Sequence, residues 1–274
     1  MLCFITLDAI MKFGLDTMSL VQVTWGRFFF ATLFTLFLCL RDLPRLLRST
    51  SPRTQALRSC LLMVTTGLFN AGIAVSPLAT ATTIMFLSPI FVTVLSVLLL
   101  SEHVGVRRWS SVAVGFLGAV IVVSPWQNGF DLTSSGTLFL VGAAFTNAGY
   151  QIATRWMRGE DPMTSLLYTA SAGALVTSLI VPFFWTTPNL TEWALLLASG
   201  LAGLVGHLCI IKAFQAAPAS VVAPFSYSSL VWATLFGYIF WSDWPTANTL
   251  VGATLIIASG LYIFFRERRL KQQP

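Results

Sequence analysis

The chain has 274 residues, of which 56% are hydrophobic and only 9% charged, and its formal net charge is +6. A soluble domain carries about 25% charged residues, so this composition excludes a soluble protein and indicates an integral membrane protein. The positive charge lies in short connections rather than on a folded basic face, which excludes nucleic acid as a partner.

Ten apolar segments follow one another along the chain, separated by Pro, Gly and clusters of charge. A helix that spans a bilayer needs about 20 largely apolar residues. We therefore predict ten transmembrane helices, over residues 1–15, 20–40, 58–76, 78–100, 109–125, 135–154, 163–184, 192–214, 219–240 and 246–265. The first segment is short for a span, so we expect the native chain to begin upstream of Met1.

The basic residues test this number of spans, because positively charged connections stay on the cytoplasmic side. When the connections are assigned alternately to the two sides, 14 of the 16 Lys and Arg residues fall on one side, Arg58 among them. The exceptions, Lys12 and Arg27, belong to the first two segments. The distribution predicts a multi-pass protein with both termini in the cytoplasm.

The ten segments divide into two halves of five. An ungapped alignment of residues 77–102 with 218–243 pairs identical residues at four of 26 positions, and it places Phe86 opposite Tyr227. A half with an odd number of spans ends on the opposite side of the membrane from where it begins. The second half therefore enters the membrane from the opposite side to the first. We predict an all-α membrane protein with two inverted five-helix repeats, residues 1–127 and 134–266, and a cytoplasmic tail at 267–274. Inverted repeats are typical of secondary transporters.

Several stretches resemble a known family. "LDAIMKFG" (7–14) and "WGRFFF" (25–30) look like the opening of EamA-type carriers of the drug/metabolite transporter superfamily, and residues 76–109 and 212–267 resemble the ends of its two repeats. The resemblance implies a ten-helix bundle of the bacterial cytoplasmic (inner) membrane that moves a small metabolite. Within the family, the opening and the ending are most similar to bacterial importers of S-adenosylmethionine and of riboflavin.

Three ionisable residues lie inside the first two segments, where charged side chains are costly and face a cavity or a partner. Asp8 and Lys12 share one helix face, and Arg27 lies in the next segment. Two bases around one acid predict a compact network. It either staples the two helices together or meets a charged or zwitterionic substrate, with Asp8 as a group that can take up a proton.

Further polar and aromatic residues lie inside other segments. Asn147, Tyr150, Gln151 and Thr154 follow the spacing i, i+3, i+4, i+7 and form one polar stripe, which lipid cannot satisfy. Asn70 and His207 are single polar residues, and each is predicted either to contact a cavity or to hydrogen-bond a neighbouring helix. Aromatic residues that could stack together on a planar ring are Trp25, Phe86, Tyr150, Tyr227 and Trp232.

The sequence therefore predicts a secondary transporter of a small polar or zwitterionic metabolite that works by alternating access. A membrane-embedded enzyme, a channel and an exporter of amino acids or drugs are the alternatives. The sequence contains no GxSxG or HExxH motif, and His207 has no second ligand at metal-binding spacing. We thus predict no catalytic residues, metal or cofactor. The expected partners are the metabolite and the lipid bilayer, and a homodimer is left open.

Overall fold

The computed structural model describes residues 1–75, 84–123, 135–241, 244 and 246–271. Every regular element in these ranges is a helix, which confirms the all-α prediction. The α-helices are α1 (Leu2–Leu15), α2 (Leu20–Leu38), α3 (Leu43–Leu46), α4 (Pro52–Val75), α5 (Ser88–Leu100), α6 (Val106–Val123), α7 (Ser135–Trp156), α8 (Pro162–Ile180), α9 (Leu190–Ala216), α10 (Ala219–Val222), α11 (Ser228–Trp241) and α12 (Ala247–Lys271). Two 3-10 helices, Val181–Phe184 and Ala223–Tyr227, follow α8 and α10.

Proline explains the main differences between the predicted segments and the helices. α4 begins at Pro52 rather than at residue 58, because a proline at the first helical position leaves no hydrogen bond unmade. A turn at Phe86 and Leu87 precedes α5, whose first turn contains Pro89. Pro224 lies in the 3-10 helix between α10 and α11. A proline disfavours helical continuation before it. The predicted segments 78–100 and 219–240, which contain Pro89 and Pro224, are therefore not single uninterrupted α-helices.

Several helices have the length and composition of membrane spans. Four continuous helical stretches among the described residues are long and apolar enough to cross a bilayer: Leu20–Leu38, Pro162–Phe184, Leu190–Ala216 and Ala219–Phe240. Two shorter apolar stretches are Ser88–Leu100 and Ala247–Tyr262. Large apolar side chains remain exposed on these helices, including Phe37 at 74% and Leu179 at 76%. Such extended apolar surface belongs in lipid. The structure thus supports a membrane protein, while the number of ten spans stays a prediction.

The first of two compact units comprises Met1–Cys60 and Met157–Ala216. In it α2 packs against both α8 and α9, and α1 packs against α9. Glycine allows the closest approach: a Cβ atom at Gly200 would lie 2.4 Å from Phe30 Cβ and 2.9 Å from the Ala31 backbone nitrogen. Small residues at such contacts drive helix association in membranes, where apolar burial alone gives no preference for protein over lipid.

The second compact unit comprises Leu61–Trp156 and Ala217–Pro274. In it α6 packs lengthwise against α12, and α5 packs against α7. Its described core includes a cluster formed by Phe86, Ala119, Tyr227, Leu230 and Ile256. The unit therefore joins helices that are distant in sequence.

The two units do not coincide with the predicted repeats, because each unit contains helices from residues 1–127 and from 134–266. Compact packing and sequence repetition are different properties of a chain. The inverted repeats and their boundaries therefore stay predictions, and so does the cytoplasmic tail, over part of which α12 continues as far as Lys271.

Candidate functional site

Three helices of the first unit bring ionisable side chains together. Arg27 of α2 lies beside His207 of α9, with 3.0 Å between Arg27 Nη2 and His207 Nε2. The positive charge of Arg27 also acts on Asp8 of α1. Arg27 and His207 are half-buried, and Asp8 is exposed. We call Asp8, Arg27 and His207 the polar cluster.

The neighbours of the polar cluster fix the geometry of its imidazole. Phe4 of α1 presents its ring to His207 in an edge-to-face arrangement, with 5.2 Å between the ring centroids. Gly203 of α9 lies opposite the Arg27 side chain, and a Cβ there would be 3.6 Å from Arg27 Cγ. A Cβ at this distance would make ordinary van der Waals contact, so the Arg27 side chain lies close along α9.

The network of Asp8, Lys12 and Arg27 that the sequence predicts stays a prediction. Arg27 makes a hydrogen bond to His207, which lies 180 residues away in sequence. Asp8 and Lys12 are both exposed on α1. The structure therefore adds the His207 imidazole to the predicted acid and bases.

A second arginine of this unit is buried, and the sequence analysis did not single it out. Arg58 was counted among the basic connections, but it lies within α4 and is 1% exposed. Its Nη2 atom donates to the Ser165 carbonyl oxygen and to the Thr169 hydroxyl of α8, and its charge acts on His207. Gln55, one turn earlier, donates from Nε2 to Ser165 Oγ over 3.1 Å.

The spacing of these residues was a usable signal. Gln55 and Arg58 lie three apart, and Ser165 and Thr169 four apart, so each pair shares one helix face. Arg58 was instead read as the edge of a loop, because the predicted segment began at that residue.

Trp25 belongs to an aromatic cluster of the first unit. Its ring stacks on Phe29 with 4.6 Å between centroids and meets Trp185 edge-on at 5.4 Å. Its indole N–H donates to Ser178 Oγ over 3.0 Å. Both the ring and its donor are thus engaged by protein, which favours a packing role in this conformation.

In the second unit, the predicted polar stripe on α7 meets the first residue of α5. Asn147 Nδ2 donates to Ser88 Oγ over 3.1 Å, and Gln151 Nε2 lies 3.5 Å from the same oxygen. Tyr150 is buried at 4% exposure. The Gln151 Oε1 atom is buried and has no hydrogen-bond partner within the described ranges. The stripe thus faces protein, as predicted for polar groups that lipid cannot satisfy.

Phe86 and Tyr227, which the alignment pairs, contact each other. Their ring centroids are 5.7 Å apart, and the Tyr227 hydroxyl donates to the Phe86 carbonyl oxygen over 3.1 Å. This carbonyl lies in the turn before α5, where the helical hydrogen bonds are interrupted. Tyr227 is completely buried, so its stacking on a substrate is not supported in this conformation.

Two further residues were predicted to line the site. Trp232 is half-buried on α11, and the Asn70 side chain lies outside the described residues.

Glu102, after α5, holds the start of α10. Its carboxylate accepts from the Ala219 N–H over 2.9 Å and from the Ser220 N–H over 3.2 Å, and also from the Ser220 hydroxyl over 2.9 Å. Arg155 of α7 lies 3.6 Å away, measured between Arg155 Nε and Glu102 Oε1. One side chain therefore joins three helices of the second unit.

We expect Glu102→Gln to lower the stability of the protein. The amide replaces one acceptor oxygen with an NH₂ group that faces backbone donors, and an unsatisfied buried donor costs about 1–3 kcal/mol. The apparent melting temperature in detergent should fall by about 5 °C. Asp42→Asn serves as the control, because Asp42 is exposed and makes no side-chain cap to α3. Equal melting temperatures for the two variants would contradict the expectation.

Within the described part of the chain, no group of three or more His, Cys, Asp or Glu residues is arranged to hold a metal ion. The polar cluster instead offers a guanidinium, an imidazole and a carboxyl group. These groups can bind opposite charges on an organic solute through charge-assisted hydrogen bonds.

A helical protein with extended apolar surface and ionisable side chains within its spans is typical of membrane transporters. The chain belongs to the EamA-like transporter family, which matches residues 1–124 and 134–265. This confirms the resemblance noted from the sequence, and with it the prediction of a transporter rather than an enzyme.

Curated relatives are transporters with different named substrates. The S-adenosylmethionine uptake transporter of Rickettsia bellii is 30% identical over 263 residues, which cover 96% of this chain and 89% of that protein. The riboflavin transporter of Vibrio cholerae is 34% identical over 66% of this chain and 60% of that protein. The pseudopaline exporter CntI of Pseudomonas aeruginosa is 32% identical over 68% and 66%.

A crystal structure of another protein has the same fold. It superposes with a TM-score of 0.84 at 17% sequence identity and covers 98% of this chain and 97% of that chain. This likeness extends the agreement in fold beyond the range of clear sequence similarity.

Proposed function

We propose that the protein is a secondary transporter that takes up a small zwitterionic metabolite, with S-adenosylmethionine as the first compound to test. We further propose that it lies in the bacterial cytoplasmic membrane with ten spans and cytoplasmic termini. Its two inverted repeats, 1–127 and 134–266, then expose the substrate alternately to the two sides. The relatives that align with nearly the whole chain support this substrate.

The observation that carries the proposal is the polar cluster. Asp8 is exposed on α1 within reach of the Arg27 charge, and Arg27 holds His207 on α9. S-adenosylmethionine carries a carboxylate, an ammonium and a sulfonium. An arginine for the carboxylate and an aspartate for a cationic group match these charges, and such groups are rarely kept within a membrane without a function.

Uptake into proteoliposomes tests the proposal. The purified protein is offered labelled S-adenosylmethionine, riboflavin, and a set of amino acids and nucleosides. Saturable uptake that is stimulated by unlabelled compound on the opposite side is expected for S-adenosylmethionine. Folded protein that moves none of these compounds in either direction would overturn the proposal.

Export is the second candidate, because one relative is named as an exporter. The same vesicles distinguish the two directions when a pH gradient of either sign is imposed. Net movement of the substrate only in the direction opposite to the imposed proton flow would favour export.

We expect Asp8→Asn to reduce uptake at least tenfold while the yield of folded protein stays unchanged. Losing a hydrogen-bonded charge pair costs about 1.5–3 kcal/mol, which is about tenfold to a hundredfold in affinity. Asp16→Asn is the matched control, because Asp16 is an exposed acid just after the same helix. Normal transport by Asp8→Asn would remove Asp8 from the site.

A further inference from the structure

The contact between Arg27 and His207 fixes the protonation of the imidazole. A guanidinium has five N–H donors and no acceptor, so Arg27 Nη2 must donate across the 3.0 Å to His207 Nε2. His207 Nε2 therefore presents its lone pair, and the ring is neutral with its proton on Nδ1. A proton on Nε2 and this hydrogen bond exclude each other.

Two arginines place positive charge near His207. Arg27 of α2 and Arg58 of α4 both act on the ring. The other ionisable side chains on the helices that pack against α9 are Cys3, Asp8 and Lys12 of α1 and Tyr168 of α8. Tyr168 donates its hydroxyl to the Leu47 carbonyl oxygen, and Asp8 supplies the negative charge.

We propose that His207 Nε2 is the binding site for a co-transported proton, which it takes up when the carboxylate of the substrate draws Arg27 away. This inference rests on the proposed function, because the substrate must carry an anionic group. Imidazole is the side chain whose ordinary pKa suits a reversible proton at physiological pH.

The coupling follows from competition between His207 and the substrate carboxylate for the Arg27 guanidinium. While Arg27 donates to His207 Nε2, that nitrogen carries no proton. When the substrate carboxylate pairs with Arg27, the Nε2 lone pair is released beside that carboxylate, so one proton from the same aqueous side binds to Nε2. Substrate and proton leave together on the other side, and Arg27 returns to His207. One proton thus crosses with each substrate, and an inward proton gradient drives uptake.

The chain offers a matched pair of variants, because it contains two histidines. His103 is exposed in the connection after α5, and its backbone carbonyl oxygen accepts from Arg108. His207→Gln keeps an oxygen that can accept from Arg27 but cannot be protonated. His103→Gln removes the other imidazole and leaves the polar cluster intact.

The first test is the pH dependence of S-adenosylmethionine uptake by these proteins. In the wild type and in His103→Gln, the apparent affinity should rise about tenfold for each unit by which pH is lowered, since one proton is bound with each substrate. In His207→Gln this dependence should disappear. The same pH dependence in His207→Gln would overturn the proposal, whereas no wild-type uptake at any pH would overturn the proposed substrate instead.

The second test does not depend on transport by the His207 variant. In His103→Gln labelled with ¹⁵N-histidine, His207 is the remaining imidazole, and its nitrogen resonances report the tautomer directly. We expect the Nδ1–H form without substrate and the imidazolium after addition of S-adenosylmethionine at a fixed pH above neutrality. An Nε2–H tautomer in the empty protein, or a neutral ring in the complex of a protein that transports this compound, would overturn the proposal.

Discussion

Arg27→Lys is expected to reduce S-adenosylmethionine uptake at least tenfold without a comparable loss of folded protein. The guanidinium lies 3.0 Å from His207 and 5.3 Å from the centroid of the Phe28 ring. It can hold a carboxylate through two parallel hydrogen bonds, whereas an ammonium is a compact point charge that lacks this planar geometry. The substitution keeps the positive charge, so a loss of uptake would show that recognition depends on the planar guanidinium and its two parallel hydrogen bonds.

The measurement compares initial uptake rates at several substrate concentrations with the yield of monodisperse protein. Arg107→Lys is the matched control, because Arg107 is exposed at the start of α6. A substrate contact predicts a raised KM for Arg27→Lys. Wild-type kinetics in this variant would exclude Arg27 from substrate recognition.

The helices could be predicted from the sequence because hydropathy and chain breakers are local properties. The predicted segment 192–214 corresponds to α9 (Leu190–Ala216), and 135–154 to α7 (Ser135–Trp156). The packing could not be predicted in the same way. Whether α6 meets α12 depends on contacts between residues that are far apart in sequence.

In the candidate site, too, single residues could be predicted from the sequence, but the contacts between distant residues could not. Asp8, Arg27 and His207 stood out because charge is expensive within an apolar segment, but the bond between Arg27 and His207 joins positions 180 residues apart and leaves no local pattern. Arg58 was missed because counting basic connections treats every arginine at a segment boundary as solvated. The alignment placed Phe86 and Tyr227 at equivalent positions, yet it could not indicate that the two side chains contact each other.

Gly252→Ala is expected to lower the stability of the second unit more than any other glycine-to-alanine change on α12. A Cβ at position 252 would lie 2.4 Å from the Gly118 carbonyl oxygen and 3.0 Å from the Val122 backbone nitrogen. Backbone atoms cannot move aside as a flexible side chain can, so α6 and α12 must separate along their contact. Overpacking of this kind costs about 1–3 kcal/mol, which should lower the apparent melting temperature by several degrees.

The same helix supplies the control. Gly260 also lies on α12, and a Cβ there would meet no atom within 4 Å. Because alanine is favoured over glycine by about 1 kcal/mol within a helix, Gly260→Ala should leave the melting temperature unchanged or raise it. The two variants add the same methyl group to the same helix, so the difference between them isolates the contact with α6. Equal melting temperatures would contradict a close approach of Gly118 and Gly252, and with it the small-residue packing that holds α6 against α12.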